Sequence, residues 1–173
     1  MKNLLRQVLV TVILAVGIFF LLQTTLQSSI VIGHSMEPNF QQGQRLIVNK
    51  VVYRFHEPER GDVIVFHPPT NRHVDYIKRV IALPGDTVEI KEETVYINGS
   101  PLSEPYIKDF PSYTFLEQEI PEEHYFVLGD NRNNSNDSHH GWTLPRQNII
   151  GKVWISIWPP SEWGIIPDYS LLE

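Results

Sequence analysis

The chain has 173 residues, a formal net charge of −6 and no cysteine. The length suits one domain of ordinary size. The absence of cysteine excludes disulfide bonds, thiolate catalysis and cysteine-based zinc or iron–sulfur sites. A content of 42% hydrophobic and 20% charged residues is typical of a folded protein rather than a disordered one. No basic patch stands out, so nucleic acid is not an expected partner.

The first 30 residues are basic at their start and then apolar. They contain Lys2 and Arg6 but no acidic residue, and between Val8 and Leu22 only a threonine and a glycine interrupt the apolar run. The run continues to residue 26, and a helix of about 19 residues just spans the roughly 30 Å hydrocarbon core of a bilayer. Basic residues stay on the cytoplasmic side, so the amino terminus is predicted to lie inside the cell.

The alternative for the same segment is a secretory signal that is cleaved off. Such a signal has a shorter apolar part and needs small residues three and one positions before the cut. Residues 23–27 offer no good pair, which favours a retained anchor. The predicted organisation is therefore a cytoplasmic amino terminus (1–7), a transmembrane anchor (8–27) and an extracytoplasmic domain (28–173) in the cell membrane.

Beyond residue 30 the pattern changes to short apolar runs and period-two alternation. Segments of this kind that are bounded by turn residues predict β-strands. They are 45–49, 61–66, 75–81, 87–90, 94–97, 124–128 and 152–157. Residues 100–121 are rich in proline and lack a period, so an irregular excursion is predicted there. The fold class is therefore mostly β, either a barrel or linked sheets.

Tryptophans of the predicted extracytoplasmic part are candidates for contact with the membrane surface, where aromatic side chains concentrate. They are Trp142, Trp154, Trp158 and Trp163. Trp154 lies inside a predicted strand and is expected in the core.

Three polar segments are candidates for chemistry. In residues 33–38, Ser35 stands just outside the predicted span, where it could be a nucleophile, although most turns of this kind are only turns. In a predicted strand, Lys78 and Arg79 are adjacent, so they point to opposite faces. The third segment, 129–138, is a polar loop after an apolar strand and could brace a site, since Asp130 and Asp137 could each accept hydrogen bonds from Arg79, Arg132 or backbone amides.

The sequence around Lys78 is open to two interpretations. In the first, one of the two basic side chains is exposed and the other reaches the edge of the sheet. In the second, Lys78 is buried, so that desolvation lowers its pKa and leaves a neutral amine that can act as a base. The lysine alone favours the first interpretation.

Taken together, these segments resemble the bacterial type I signal peptidases, which are membrane-anchored serine endopeptidases with a serine–lysine dyad. The resemblance runs from the anchor to Trp158 in the family's order. Its four motifs are Ser35–Pro38, similar to a recurring Ser-Met-x-Pro, Arg60–Phe66, Lys78–Asp86 and Gly129–Ser138. Four matches in sequence behind an anchor are a specific signal.

The resemblance implies the catalytic roles. Ser35 is the implied nucleophile and its backbone N–H an oxyanion donor, Lys78 is the implied general base, and Ser135 is implied to orient the lysine amine. A neutral lysine can take the serine proton and later deliver it to the leaving amine. His34 is a poor alternative base, because neighbours on an extended segment point in opposite directions.

Supporting roles are also implied. Asp137 is expected to hold the region of the lysine through Arg79, while Asp130 and Arg132 are expected to be structural members of the polar loop. The family's members remove signal peptides from secretory preproteins by cutting after small residues, with an Ala-x-Ala preference. An extended substrate is expected to add as a strand beside residues 29–34 and 74–77.

Two positions depart from the pattern best known in Gram-negative members. Gly33 stands where those proteins often have a serine whose hydroxyl is the second oxyanion donor, so this donor is lost or replaced. His139 stands where an arginine often follows Asp-Ser. The pair His139–His140 has no acidic partner at helical spacing, so a solvated loop is predicted rather than a metal site. No metal or cofactor is expected, and the expected oligomeric state is a monomer.

The implied fold is a signal-peptidase/LexA-like, β-barrel-type ectodomain of linked antiparallel sheets behind one transmembrane helix. Two other classes of function remain to be weighed. A repressor-type self-cleaving protease shares the dyad and a similar β fold, but it has a DNA-binding domain and no membrane span. A membrane-tethered binding module without enzymatic activity would not require Ser35 and Lys78 together.

Overall fold

The computed structural model describes residues 2–71, 73–167 and 169. The apolar amino-terminal segment forms one helix, α1 (Lys2–Thr25), which is long and apolar enough to cross a membrane. None of its apolar stretch is buried against the rest of the protein. It ends two residues before the predicted boundary at residue 27, because a strand begins at Leu26. The outer limits of the predicted regions, at residues 1 and 173, lie outside the described residues.

Short strands make up most of the described chain after α1. They are β1 (Leu26–Ile30), β2 (Arg45–Asn49), β3 (Val63–Phe66), β4 (Tyr76–Ala82), β5 (Thr87–Lys91), β6 (Thr94–Ile97), β7 (Ser100–Pro101), β8 (Phe115–Glu119), β9 (His124–Leu128), β10 (Leu144–Pro145), β11 (Ile149–Trp158) and β12 (Gly164–Ile165). Single turns of 3-10 helix cover Val52–Arg54, Ser138–His140, Arg146–Asn148 and Pro160–Glu162.

The strands form two antiparallel sheets. The larger has the order β1-β2-β11-β3-β4-β9-β10, with β12 added to β11, and the smaller has the order β7-β6-β5-β8. Strand β4 pairs with β3 from Tyr76 to Arg79, but its pairing with β9 begins only at Arg79. The first residues of β4 therefore have a free edge on the β9 side, and β1 is an outer strand of the same sheet.

Three apolar clusters hold the sheets together. One lies under β2, β3 and the turn after β1, and contains Met36, Phe40 and Leu46; a second packs against the other face of β3 and β4. The third joins the smaller sheet to β4 and β9 through side chains that include Val88 and Phe126. Every side chain of β3 and all but the first of β4 are buried, so these two strands run through the middle of the core.

The predicted fold class is confirmed, since each of the seven predicted strands is present and the described chain after α1 is mostly antiparallel β. Five further strands, β1, β7, β8, β10 and β12, were not predicted. The expectation that Trp154 lies in the core is wrong: its side chain is 45% exposed although it lies within β11. A strand position fixes only the alternation of faces, and this face of β11 is not covered.

Candidate active site

Ser35 and Lys78 are in direct contact. The Nζ atom of Lys78 lies 2.7 Å from Ser35 Oγ and 2.9 Å from the carbonyl oxygen of Ile77. Ser35 is in the turn that follows β1, whereas Lys78 projects from β4, so the pair depends on the tertiary fold. A hydroxyl and an amine at this distance can exchange a proton.

Lys78 is buried, with 4% of its surface exposed. Burial removes water from the ammonium and lowers the pKa of Lys78 to about 8, although the negative charges of Asp137 and Asp130 oppose this shift. About a tenth of the amine is therefore neutral at pH 7, and nearly all of it well above pH 8. Of the two sequence interpretations, the structure supports the buried lysine.

The turn that carries Ser35 is fastened to the polar loop after β9. The backbone N–H of Asn131 donates to the Ser35 carbonyl oxygen over 3.0 Å, and the Asn131 side-chain amide donates to the His34 carbonyl oxygen over 3.1 Å. Met36 anchors the same turn in the core. Asn131 was not predicted as a site residue, because its only signal in the sequence is its place in the fourth motif.

The imidazole of His34 points away from the dyad. Its Nδ1 atom lies 2.7 Å from a carboxylate oxygen of Glu37 on the protein surface. The expected opposite orientation of His34 and Ser35 is therefore observed, and Lys78 rather than His34 contacts the serine hydroxyl.

Two glycines shape the surroundings of Ser35. Gly33 has φ +86°, a left-handed conformation that favours glycine, and a Cβ atom built on it meets nothing within 4 Å. A Cβ on Gly129 would lie 2.4 Å from the Ser35 carbonyl oxygen and 2.3 Å from Ser135 Oγ. Glycine at position 129 is thus what lets the loop after β9 approach the nucleophile.

Arg79 faces the opposite side of β4 from Lys78 and is 1% exposed. Its Nε and Nη2 atoms donate to the two carboxylate oxygens of Asp130 over 2.8 and 2.7 Å, and its Nη1 atom donates to the Gly61 carbonyl oxygen. The predicted contact of Arg79 with Asp137 is therefore wrong. Period two places the guanidinium on the Asp130 side of the strand, where a bidentate ion pair satisfies both buried charges.

Asp137 is fully buried and is held by the loop to which it belongs. Its carboxylate accepts hydrogen bonds from the backbone N–H of Gly129 over 2.9 Å and from that of His139 over 3.2 Å. The Nδ1 atom of His139 lies 2.6 Å from the same carboxylate. The prediction of a solvated pair of histidines is wrong for His139, which is 16% exposed, and right for the exposed His140.

Ser135 lies beside the dyad without a hydrogen bond to it. Its Oγ atom is buried and has no partner among the described residues. The predicted hydrogen bond from Ser135 to the lysine amine is thus not formed, and the hydrogen bonds of Lys78 Nζ go to Ser35 Oγ and the Ile77 carbonyl oxygen. Ser135 still limits the space around Gly129.

Arg132 stabilises the polar loop through a buried ion pair and a hydrogen bond. It forms a buried, bidentate ion pair with Glu104, with one N–O distance of 2.6 Å, and its Nε atom donates to the Gly129 carbonyl oxygen. This agrees with a structural role for Arg132. Glu104 comes from the irregular excursion and was not predicted, since a lone acid in a proline-rich segment carries no periodic signal.

An open cleft of about 860 Å³ leads to the dyad. One wall is formed by residues 27–36 and the other by residues 73–78, and Asn134 and Asn136 contribute at the end near Ser35. These walls include the free edge of β4 and the outer strand β1. The cleft is therefore bordered by two strand edges, between which an extended peptide can bind.

Comparisons with known proteins agree on one family. A family model described as "Signal peptidase, peptidase S26" matches residues 4–158. The chain is 48% identical to "Probable signal peptidase I-1" of Synechocystis sp. over 145 residues, covering 80% of this chain and 74% of that protein. It is 36% identical to "Signal peptidase IB" of Staphylococcus aureus strain Mu50 over 182 residues, covering 94% of each.

One solved structure is also similar. It is a crystal structure of a signal peptidase I from Enterococcus faecalis V583, 36% identical in sequence, with a TM-score of 0.47 and coverage of 56% of this chain and 97% of that one.

Proposed function

The chain belongs to the signal peptidase family, peptidase S26, and on that premise we propose that Ser35 and Lys78 are the dyad with which it removes signal peptides from secretory preproteins. The observation that carries the assignment is the 2.7 Å contact between Ser35 Oγ and the buried amine of Lys78. The activity is that of a serine peptidase, a hydrolase, and the fold and sequence matches agree with this class.

The reaction follows from the positions of these two groups. Neutral Lys78 removes the proton of Ser35 while Oγ attacks the carbonyl carbon of the scissile bond, and the Ser35 backbone N–H stabilises the oxyanion. The resulting lysine ammonium then protonates the leaving amine, which departs and leaves an acyl-enzyme. Water, deprotonated by Lys78, hydrolyses the ester and regenerates the serine.

The substrate is an extended segment of the preprotein bound in the cleft. Main-chain groups of residues 29–34 and 74–77 border the cleft, so they can pair with a peptide strand that leads its carbonyl carbon to Ser35. The resemblance to the family implies small side chains before the cut, which shallow apolar pockets would admit while excluding larger ones. Cleavage after an Ala-x-Ala sequence is the expected specificity.

Replacement of Ser35 with alanine tests this function. Loss of the nucleophile is expected to abolish cleavage of a preprotein without unfolding the enzyme, because only one partly buried hydroxyl oxygen and its hydrogen bond to Lys78 are lost. The measurement is release of the mature protein by purified full-length enzyme in detergent, with the melting temperature as a check on folding. Persistent Ser35-independent cleavage would instead favour another nucleophile, and no cleavage by the unaltered chain would favour the binding-module interpretation.

The lipid bilayer is the second proposed partner. Support comes from α1 and from exposed apolar residues of the larger sheet, on β11, β12 and the turn between them. These residues are Trp154, Trp158, Trp163 and Ile165. The repressor-type alternative has no membrane span, so the presence of α1, a helix long and apolar enough to cross a membrane, argues against it.

We expect the amino terminus in the cytoplasm and the β domain outside, since Lys2 and Arg6 lie at one end of α1 and no acidic residue offsets them. Protease added to intact spheroplasts should then digest the region after residue 30. Full protection, with digestion only after lysis, would reverse the orientation.

Gly33 provides a test of the oxyanion site. Gly33→Ser and Gly33→Ala both force a left-handed conformation on a residue with a Cβ atom, so each is expected to lose on the order of 1–2 kcal/mol of stability. Since the space around Gly33 is open, the serine hydroxyl can act as an added donor, and Gly33→Ser is expected to have a kcat at least about 10-fold above that of Gly33→Ala. Equal kcat values for the two variants would show that position 33 does not face the oxyanion.

A further inference from the structure

Two buried carboxylates act on the charge of Lys78, but they are neutralised differently. Both carboxylate oxygens of Asp130 accept hydrogen bonds from the Arg79 guanidinium, which donates through Nε and Nη2. Asp137 has no such partner: in the part of the chain that the structure describes, it accepts two backbone N–H groups and the imidazole of His139. Its charge raises the pKa of Lys78 and so opposes the neutral amine that the reaction needs.

The imidazole of His139 is fixed in place. Its ring stacks on that of Tyr113 with a centroid distance of 4.1 Å and an interplanar angle of 19°, and the ring of His140 lies 3.8 Å away on the same turn. The Nδ1 atom, 2.6 Å from the carboxylate, must carry a proton to make this contact, and both the neutral and the charged ring can do so. The hydrogen bond to Asp137 therefore persists in either protonation state.

A cavity beside the His139 ring is bordered by other titratable and charged groups. Tyr113 faces His139 from the excursion, and burial raises the pKa of its phenol, so it remains neutral. Arg132 and His140 also line the cavity, and the charge of Arg132 is already paired with Glu104. Among these groups, Asp137 is thus the one that accepts a hydrogen bond from the His139 imidazole.

We propose that His139 is a positioning residue for the dyad, whose imidazole donates a hydrogen bond to the Asp137 carboxylate and so weakens the action of its negative charge on the amine of Lys78. Without the imidazole, the carboxylate keeps only its two backbone donors, so its charge is less well neutralised and stabilises the lysine ammonium, which is inactive as a base. The proposal rests on the proposed function of Ser35 and Lys78. It assigns a role in the reaction to a side chain that does not touch the substrate.

The pH dependence of kcat/KM tests this role, measured from pH 6 to 10 with the purified full-length enzyme and a preprotein. In His139→Ala the acidic limb is expected to move upward by about 0.5–1 pH unit, so that activity falls roughly 3–10-fold at neutral pH and recovers at high pH. His139→Asn retains an amide donor near the position of Nδ1 and is expected to restore most of the limb. His56→Ala is the control, because the His56 side chain is exposed and does not line the cavity beside His139, and its limb should not move.

Three results would overturn the proposal. One is a loss in His139→Ala that is equal at every pH and accompanied by a lower melting temperature, which is what a purely structural residue gives. The second is an unchanged profile, and the third is a His139→Asn variant that matches His139→Ala. Failure of the proposed function is separate, since it would appear as cleavage that survives Ser35→Ala.

Discussion

Replacement of Lys78 with arginine is expected to abolish cleavage as completely as replacement with alanine, with a loss in kcat on the order of 10³-fold or more. The guanidinium of arginine stays protonated at any working pH, so it keeps the charge of lysine but cannot take the proton of Ser35. The measurement is single-turnover cleavage of a preprotein by each purified variant.

A matched control for this change is Lys91→Arg. Lys91 lies at the surface and pairs with Glu89, far from the polar loop and the cleft, so this variant should cleave like the unaltered enzyme. Near-native activity in Lys78→Arg would mean that positive charge rather than basicity is the role of this residue, and the proposed mechanism would be wrong.

Replacement of Arg79 with methionine is expected to destabilise the fold strongly, by about 3–5 kcal/mol, because it leaves the buried charge of Asp130 without its cation. The control is Arg146→Met, which breaks the exposed ion pair with Glu57 and should cost less than about 1 kcal/mol. Denaturant unfolding of the two variants gives both values. If the two losses were equal, burial of the Arg79–Asp130 pair would have no energetic consequence.

The sequence predicted the centre of the site better than its supports. Period two alone placed Lys78 and Arg79 on opposite faces of one strand, which is what the structure shows. It could not decide between Asp130 and Asp137 as the partner of Arg79, because both are acids in the same loop and the choice depends on how that loop folds over β4. The predicted hydrogen bond from Ser135 to Lys78 also depended on how that loop folds, which the sequence pattern does not show.

Features without a periodic pattern could not be predicted from the sequence. Strand β8 is exposed along most of its length, so its side chains do not alternate between apolar and polar residues. Strand β1 begins where the apolar helix ends, and its first residue, Leu26, continues the apolar run of the anchor. Glu104 is an acid in a segment that only tertiary contacts bring beneath Arg132.

The most direct test of the central claim, that a neutral lysine is the base, is the pH dependence of kcat/KM for the unaltered enzyme. Because burial lowers the pKa of Lys78 to about 8, activity should be low at pH 6, rise about tenfold per pH unit at pH values below this pKa, and level off above pH 9. A flat profile from pH 6 to 10, or a rise centred near 6.5 where a histidine titrates, would contradict the assignment of Lys78.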